Sequence, residues 1–211
     1  MNLNKKLDIK HEEILQKAIE KFGSYHQFIN KILDKWITNE LMYDNINDDN
    51  ENYDYIKNSY TTELKKIIKD PYSYDIDKKT LISLNKKFFL KGIRDKKIIH
   101  RPFLHEIESP QDIDLKLDSL FLDLSKEKVS LDNYFVLLYN LYKIYPFWNA
   151  ITIRLFSNIY LLQNEYIPLI PFMEFKSEYY DSFRYGIFRF KKQFSKYFLE
   201  NGDIILRFVS N

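Results

Sequence analysis

The chain has no cysteine and only four glycines among its 211 residues. The absence of cysteine excludes a disulfide framework, thiolate catalysis and the usual structural zinc site, and it fits a reducing compartment. The glycines lie far apart, which excludes glycine-rich phosphate loops of the Walker or dinucleotide type. No stretch approaches the roughly 20 apolar residues of a membrane span, and charges interrupt the N-terminal residues where a signal peptide would be apolar. We therefore expect a soluble, cytoplasmic protein.

The composition is that of a folded chain with a balanced charge. Hydrophobic residues make up 45% and aromatic residues 17%, which is far too apolar for a disordered protein. The 32 basic and 30 acidic residues leave a net charge of +2. This charge predicts no strong overall attraction to nucleic acid or to anionic lipid. The length suits one domain, or one domain with a helical extension.

Apolar residues recur at three- and four-residue steps along most of the chain, which predicts a mainly α-helical fold. Gly23 is a natural end for a first helix, and Ser24 with Gln27 resembles a capping box that opens a second. Asp77 is expected to cap a further helix, and residues 150–163 are apolar on nearly every side, as in a buried central helix. The expected helices are 14–22, 24–36, 56–68, 77–92, 109–124, 131–144, 150–163 and 183–198.

Three stretches interrupt this helical pattern. Residues 44–54 are acidic, rich in asparagine and aperiodic, so we expect an exposed loop; a calcium loop would need a glycine and a terminal glutamate that are missing here. Residues 98–107 predict a small β-hairpin, and residues 204–209 predict a short terminal strand. We divide the chain into a helical extension with an acidic loop, residues 1–54, and a domain, residues 55–211, packed as one body.

The start of the predicted central helix is a candidate anion site. Asn149 can cap this helix, which leaves free backbone N–H groups and the positive end of the helix dipole beside the preceding loop. Arg154 lies about one turn further on and can bind a phosphate with two N–H groups. The alternative is that Asn149 is only a cap and that Arg154 only pairs with a neighbouring acidic residue. The spacing of the residues leaves both interpretations open.

Residues 144–172 resemble the core of the Fic/Doc (Fido) family, whose motif H-P-F-x-D/E-G-N-G-R-x-x-R precedes an apolar helix and an Ile-Pro segment. Upstream, Asn58, Ser59 and Glu63 resemble the start of the family's inhibitory-helix pattern N-S-x-x-x-E-G-N, with Leu64 and Lys65 in place of Gly-Asn. In the family this glutamate pairs with the last arginine of the motif. The resemblance therefore implies that the helix 56–68 packs close to the central helix with Glu63 bonded to Arg154.

Three more segments extend this resemblance in the expected order. Residues 81–93 are similar to the family helix that follows the inhibitory helix, and residues 178–186 are similar to its E-Y-x-x-A segment. The hairpin 98–107, which carries His100 and His105, resembles the flap that aligns a target peptide. The match covers residues 55–190, so the resemblance implies a Fic-like helical domain with a β-hairpin flap.

The motif itself departs from the family pattern. Tyr145 stands where the family has its general-base histidine, and a tyrosine with an unperturbed pKa of about 10 is a poor base at neutral pH. With a two-residue gap, Asn149, Ala150, Thr152 and Arg154 match motif positions and Ile151 replaces the first arginine. Without the gap, Asn149 takes the position of the metal-binding acid and both arginines are unmatched. Neither alignment supplies a carboxylate for Mg²⁺ or a complete anion hole.

We therefore expect a degenerate Fic-like protein that acts as a binding or regulatory module with weak or no nucleotide transfer. The residues themselves establish no cofactor, while the resemblance implies ATP with Mg²⁺. The expected partner is a target or regulatory protein.

Two alternatives remain. The first is a protein adenylyltransferase with a rebuilt site that uses His100 or His105 as the base. The second is binding to nucleic acid or to a membrane surface through the basic, aromatic C-terminal helix, which carries Arg184, Arg189, Lys191, Lys192 and Lys196. The near-zero net charge argues against this second alternative.

Overall fold

A computed structural model of the protein describes residues 3–44, 53–88, 110–144 and 150–208. These residues form a mainly α-helical fold without a strand, which confirms the prediction of a mainly helical protein. The hairpin predicted at residues 98–107 lies outside the described residues. The helices of the described ranges are α1 (Leu3–Phe22), α2 (Tyr25–Tyr43), α3 (Tyr53–Lys69), α4 (Lys78–Phe88), α5 (Pro110–Leu124), α6 (Leu131–Ile144), α7 (Ala150–Gln163), α8 (Lys176–Ser182) and α9 (Ile187–Phe208).

Local signals in the sequence set several helix ends. Gly23 has a φ of +84° and its N–H donates to the carbonyl of Ile19, which ends α1 in the left-handed conformation that glycine adopts without strain. The Ser24 hydroxyl then accepts a hydrogen bond from the N–H of Gln27 and caps α2. Asp77 caps α4 in the same way through the N–H of Thr80, at 2.7 Å. These three predictions are confirmed.

Helix α7 is the central helix of the fold. All of its residues from Ile151 to Leu162 are buried, and the helix contacts α3, α4 and α6. Its bounds are those predicted from the apolar residues of this segment. The helix is buried because it has no polar face that could lie against water. The same burial applies to the polar residues that α7 carries, so each of them needs a partner inside the protein.

The first two helices belong to the same hydrophobic core as the rest of the described chain. Helix α1 packs against α2 and α9 and also contacts α6. The imidazole of His11 on α1 stacks on Phe198 of α9, and its Nε2 accepts a hydrogen bond from the N–H of Ile167. Helix α2 packs between α1 and α3. Near its end, Glu40 contacts Arg154 of α7. These contacts bring acidic residues of α2 close to Arg154.

Two expectations from the sequence are wrong. Residues 204–208, expected to start a terminal strand, continue α9. The apolar spacing carries on through Ile205, and Gly202 is accommodated inside the helix close to the side chain of Ile14. Asp44, assigned to an exposed acidic loop, is the C-cap of α2 and pairs with Arg154. Residues 45–52 of that predicted loop lie outside the described residues.

Within the described ranges, every helix is either too short or too polar to span a membrane.

Candidate functional site

Arg154 is the most deeply placed cation of the described residues. It lies on α7 with a relative exposure of 1%, and its guanidinium group bonds to three side chains. Nε donates to Glu40 at 2.5 Å, Nη2 donates to Asp44 at 2.8 Å and Nη1 donates to the hydroxyl of Tyr142 at 3.3 Å. All three nitrogens therefore already have acceptors within the protein.

Both acidic partners come from the end of α2. Glu40 and Asp44 are four residues apart, so they project from the same face of the helix towards α7. The Glu40 side chain is fully buried, whereas that of Asp44 is 18% exposed. The fork of N–H groups on an arginine suits such a pair of carboxylates, because one guanidinium can serve two acceptors at fixed angles. This arrangement connects the N-terminal helices to the central helix.

The site holds one cation, Arg154, and two carboxyl groups, those of Glu40 and Asp44. Burial raises the pKa of Glu40 to about 7, with Arg154 acting in the opposite direction and the Asp44 charge adding to the rise. Burial alone would lower the pKa of Arg154, but the Asp44 and Glu40 carboxylates outweigh it and raise that pKa well above its usual value. Burial of Glu40 thus works against its ionised form, whereas the guanidinium of Arg154 stays charged.

Tyrosine side chains enclose the ion pair. The Tyr43 ring lies 4.9 Å from the guanidinium carbon of Arg154 in a cation–π contact, and Lys176 donates to the carbonyl of Tyr43. The Tyr179 hydroxyl donates to that of Tyr142 at 3.0 Å. Burial raises the pKa of Tyr142 and Tyr179, so both hydroxyls stay neutral at physiological pH. The rings exclude water and strengthen the ion pair that they surround.

The expected phosphate site is occupied by protein groups where the structure describes it. Arg154 pairs with acidic residues, which is the alternative that the sequence left open. The Thr152 hydroxyl is buried and accepts a hydrogen bond from the Asn85 amide at 3.3 Å. Ala150 begins α7, while Tyr145 and Asn149 lie outside the described residues.

The residues around Arg154 do not fit an ATP phosphate. An incoming phosphate would have to displace Asp44 or Glu40, which would leave a buried carboxylate beside a second anion.

Glu63 has different partners from those predicted. Helix α3 does contact α7, but the Glu63 carboxylate accepts from Lys66 at 2.9 Å, Lys87 at 2.7 Å and the Tyr74 hydroxyl at 3.2 Å. The predicted Glu63–Arg154 bond is therefore wrong. Burial alone would raise the pKa of Glu63, yet the two lysines lower it, so the group is ionised. Ser59, one turn earlier, is half-buried.

The remaining candidate residues divide into two groups. His100 and His105 lie outside the described residues. On the C-terminal helix and the turn before it, Arg184 pairs with Asp181, Lys191 with Asp132 and Lys196 with Glu200. The Arg189 guanidinium lies 3.7 Å from the centre of the Tyr185 ring. Acidic neighbours thus offset much of the positive charge that favoured binding to nucleic acid or a membrane surface.

The sequence reasoning missed Glu40 and Asp44 as partners of Arg154. A signal was present, because Phe28, Ile32 and Trp36 mark the buried stripe of α2 at four-residue steps and Glu40 is the next position of that stripe. An acidic residue in an apolar stripe needs a buried partner.

Comparisons with protein-family models, with curated proteins and with solved structures found no match.

Proposed function

We propose that this protein is a helical binding or regulatory module, similar to Fic proteins in the order of its sequence segments, that transfers no nucleotide. The observation that carries the proposal is the pairing of Arg154 with Glu40 and Asp44. In the resembling family the corresponding arginine faces the phosphates of ATP. Here its three nitrogens are already bonded, and the group lies behind tyrosine rings. The Fic-like identity and the β-hairpin flap are parts of this proposal.

The energetics of the ion pair support a structural role for Arg154. A phosphate at this position would gain charge-assisted hydrogen bonds of about 1.5 to 3 kcal/mol each. Releasing one carboxylate from a buried pair costs about 3 to 5 kcal/mol, because that group keeps its charge and loses its cation. Two such bonds would gain about 3 to 6 kcal/mol, which is about what the release costs, so the exchange brings no net advantage. The ion pairs already in place favour a structural role in which Arg154 connects the end of α2 to α7.

The first test is binding of ATP. A ligand present at about 100 times its Kd stabilises a protein by about 2.7 kcal/mol, which raises the Tm of a chain of this size by roughly 5 to 10 °C. We expect no rise in Tm with ATP at about 5 mM, with or without Mg²⁺. A rise of several degrees that is lost in Arg154→Met, measured against the Tm of that variant without ATP, would contradict the proposal.

The second test is transfer of AMP from labelled ATP to proteins of a cell extract. Neither the unmodified protein nor Tyr145→His should label any protein, because a base contributes about 10²- to 10⁴-fold only when the phosphoryl group is already held. Strong labelling by either protein, abolished by Arg154→Met, would instead support an adenylyltransferase with a rebuilt site. The single variants His100→Ala and His105→Ala would then show which histidine is the base.

A further inference from the structure

A shallow groove runs between the first half of α2 and the last turns of α3. It has a volume of about 300 Å³ and is lined by His26, Asn30, Leu33, Lys65, Ile68 and Lys69. The lining residues of α2 lie at four- and three-residue steps, and so do those of α3, so each helix presents one stripe to the groove. We call this feature the α2–α3 groove.

The floor of the α2–α3 groove is apolar and its rim is polar. Leu33 is half-buried and Ile68 is 7% exposed, whereas His26, Lys65 and Lys69 are exposed. A site with an apolar centre and polar edges is typical of a surface that receives another protein segment. An inorganic anion would leave this apolar floor uncovered.

The charge of the α2–α3 groove is uncompensated within the described residues. Neither Lys65 nor Lys69 forms an ion pair there, and no acidic residue lines the groove. The neighbouring Lys66 behaves differently, because it bonds to Glu63 on another face of α3. Lys65 and Lys69 are four residues apart on α3, where like charges repel each other. An acidic ligand would remove this repulsion.

We propose that the α2–α3 groove binds an acidic amphipathic helix of a partner protein. A helix in this groove would place an apolar side chain between Leu33 and Ile68, and two carboxylates at a four-residue spacing would match Lys65 and Lys69. This inference rests on the proposal that the chain is a binding module, and it identifies the surface and the chemistry of the partner.

The test uses displayed random peptides of about 16 residues, which is long enough for roughly four helical turns. Peptides are selected on the unmodified protein, and their binding is then measured by fluorescence anisotropy. We expect the enriched peptides to carry glutamate or aspartate at a four-residue spacing beside an apolar residue. Binding should weaken at least about tenfold in Lys65→Glu/Lys69→Glu and should also weaken as salt rises from about 50 to about 300 mM.

The matched control is Lys10→Glu/Lys17→Glu, which makes the same change in net charge at two exposed positions of α1. This variant should bind the selected peptides like the unmodified protein. Because Lys65 and Lys69 are exposed, their charge reversal should leave the circular dichroism spectrum unchanged. Lys65→Gln/Lys69→Gln provides a milder second variant, for which about a threefold loss is expected.

Three results would overturn the inference: no enrichment of peptides, enriched peptides without acidic residues, or equal binding by the two charge-reversed variants. None of them bears on nucleotide transfer, which the labelled ATP assay measures separately. An outcome that refutes peptide binding at the α2–α3 groove is therefore distinguishable from one that refutes the proposed function.

Discussion

Replacing Arg154 by methionine should destabilise the fold more than any other single substitution of a charged residue in the described ranges. The change leaves Glu40 fully buried without its cation. Breaking a buried ion pair by removing one partner costs about 3 to 5 kcal/mol, which is a large part of the roughly 5 to 15 kcal/mol that stabilises a typical domain. For a chain of this size, we expect Tm to fall by roughly 6 to 20 °C.

The cost should depend on pH in a defined direction. Removing Arg154 removes the charge that lowers the pKa of Glu40, so this pKa rises further above its value of about 7 in the intact protein. A carboxyl group whose pKa is higher in the folded than in the unfolded state stabilises the fold below the unfolded pKa of 4.5. That stability is lost as pH rises through the folded pKa. The difference between the two proteins should therefore be larger at about pH 8 than at about pH 5.

Urea unfolding at both pH values, followed by circular dichroism, measures this difference. The matched control is Arg184→Met, which breaks an exposed ion pair with Asp181 and should change the free energy of unfolding by less than about 1 kcal/mol. Adding Glu40→Leu to Arg154→Met should recover much of the loss, because an apolar pair avoids the desolvation of a lone carboxylate. A loss below about 1 kcal/mol, or one that is the same at both pH values, would refute the reasoning.

Two further predictions concern α1. Burial lowers the pKa of His11 from 6.5 to about 4, so its contribution to stability is present above pH 6.5 and is lost as pH falls to 4. Relative to His11→Phe, the intact protein should lose up to about 3 kcal/mol of unfolding free energy over this range in urea titrations, and a constant difference would contradict the prediction. Gly23→Ala should cost about 1 to 2 kcal/mol because φ is +84° there. Gly186→Ala is the control, since its Cβ would meet no atom within 4 Å, and equal effects would exclude the strain argument.

The sequence predicted the parts of the fold that depend on neighbouring residues. Helix α7 was predicted because residues 150–163 are apolar on nearly every side, and α2 and α4 were predicted because Ser24 and Asp77 supply caps. The terminal strand predicted at residues 204–209 is wrong, because α9 continues through Gly202 to Phe208. A glycine inside a helix is stable when another side chain, here Ile14, fills the space beside it.

The candidate site depends on contacts that spacing along the chain does not encode. Arg154 and Glu40 are 114 residues apart, and their pairing follows from a fold that brings the end of α2 next to α7. Glu63 shows the same limit. It lies on α3 as predicted, but the sequence did not indicate that Lys87 of the next helix would bind its carboxylate. The apolar pattern therefore predicted the buried helix that carries Arg154, but not the acidic groups that bind the arginine.

The docking of α1 on α9 has a consequence for synthesis in the cell. The apolar face of α1 is completed by residues that the ribosome adds much later, since His11 and its partner Ile167 are 156 residues apart. At about 5 to 20 residues per second, this interval is on the order of 10 s. During that time the part of the apolar face of α1 that α9 covers is exposed to water, so nascent chains should depend on chaperones until α9 emerges.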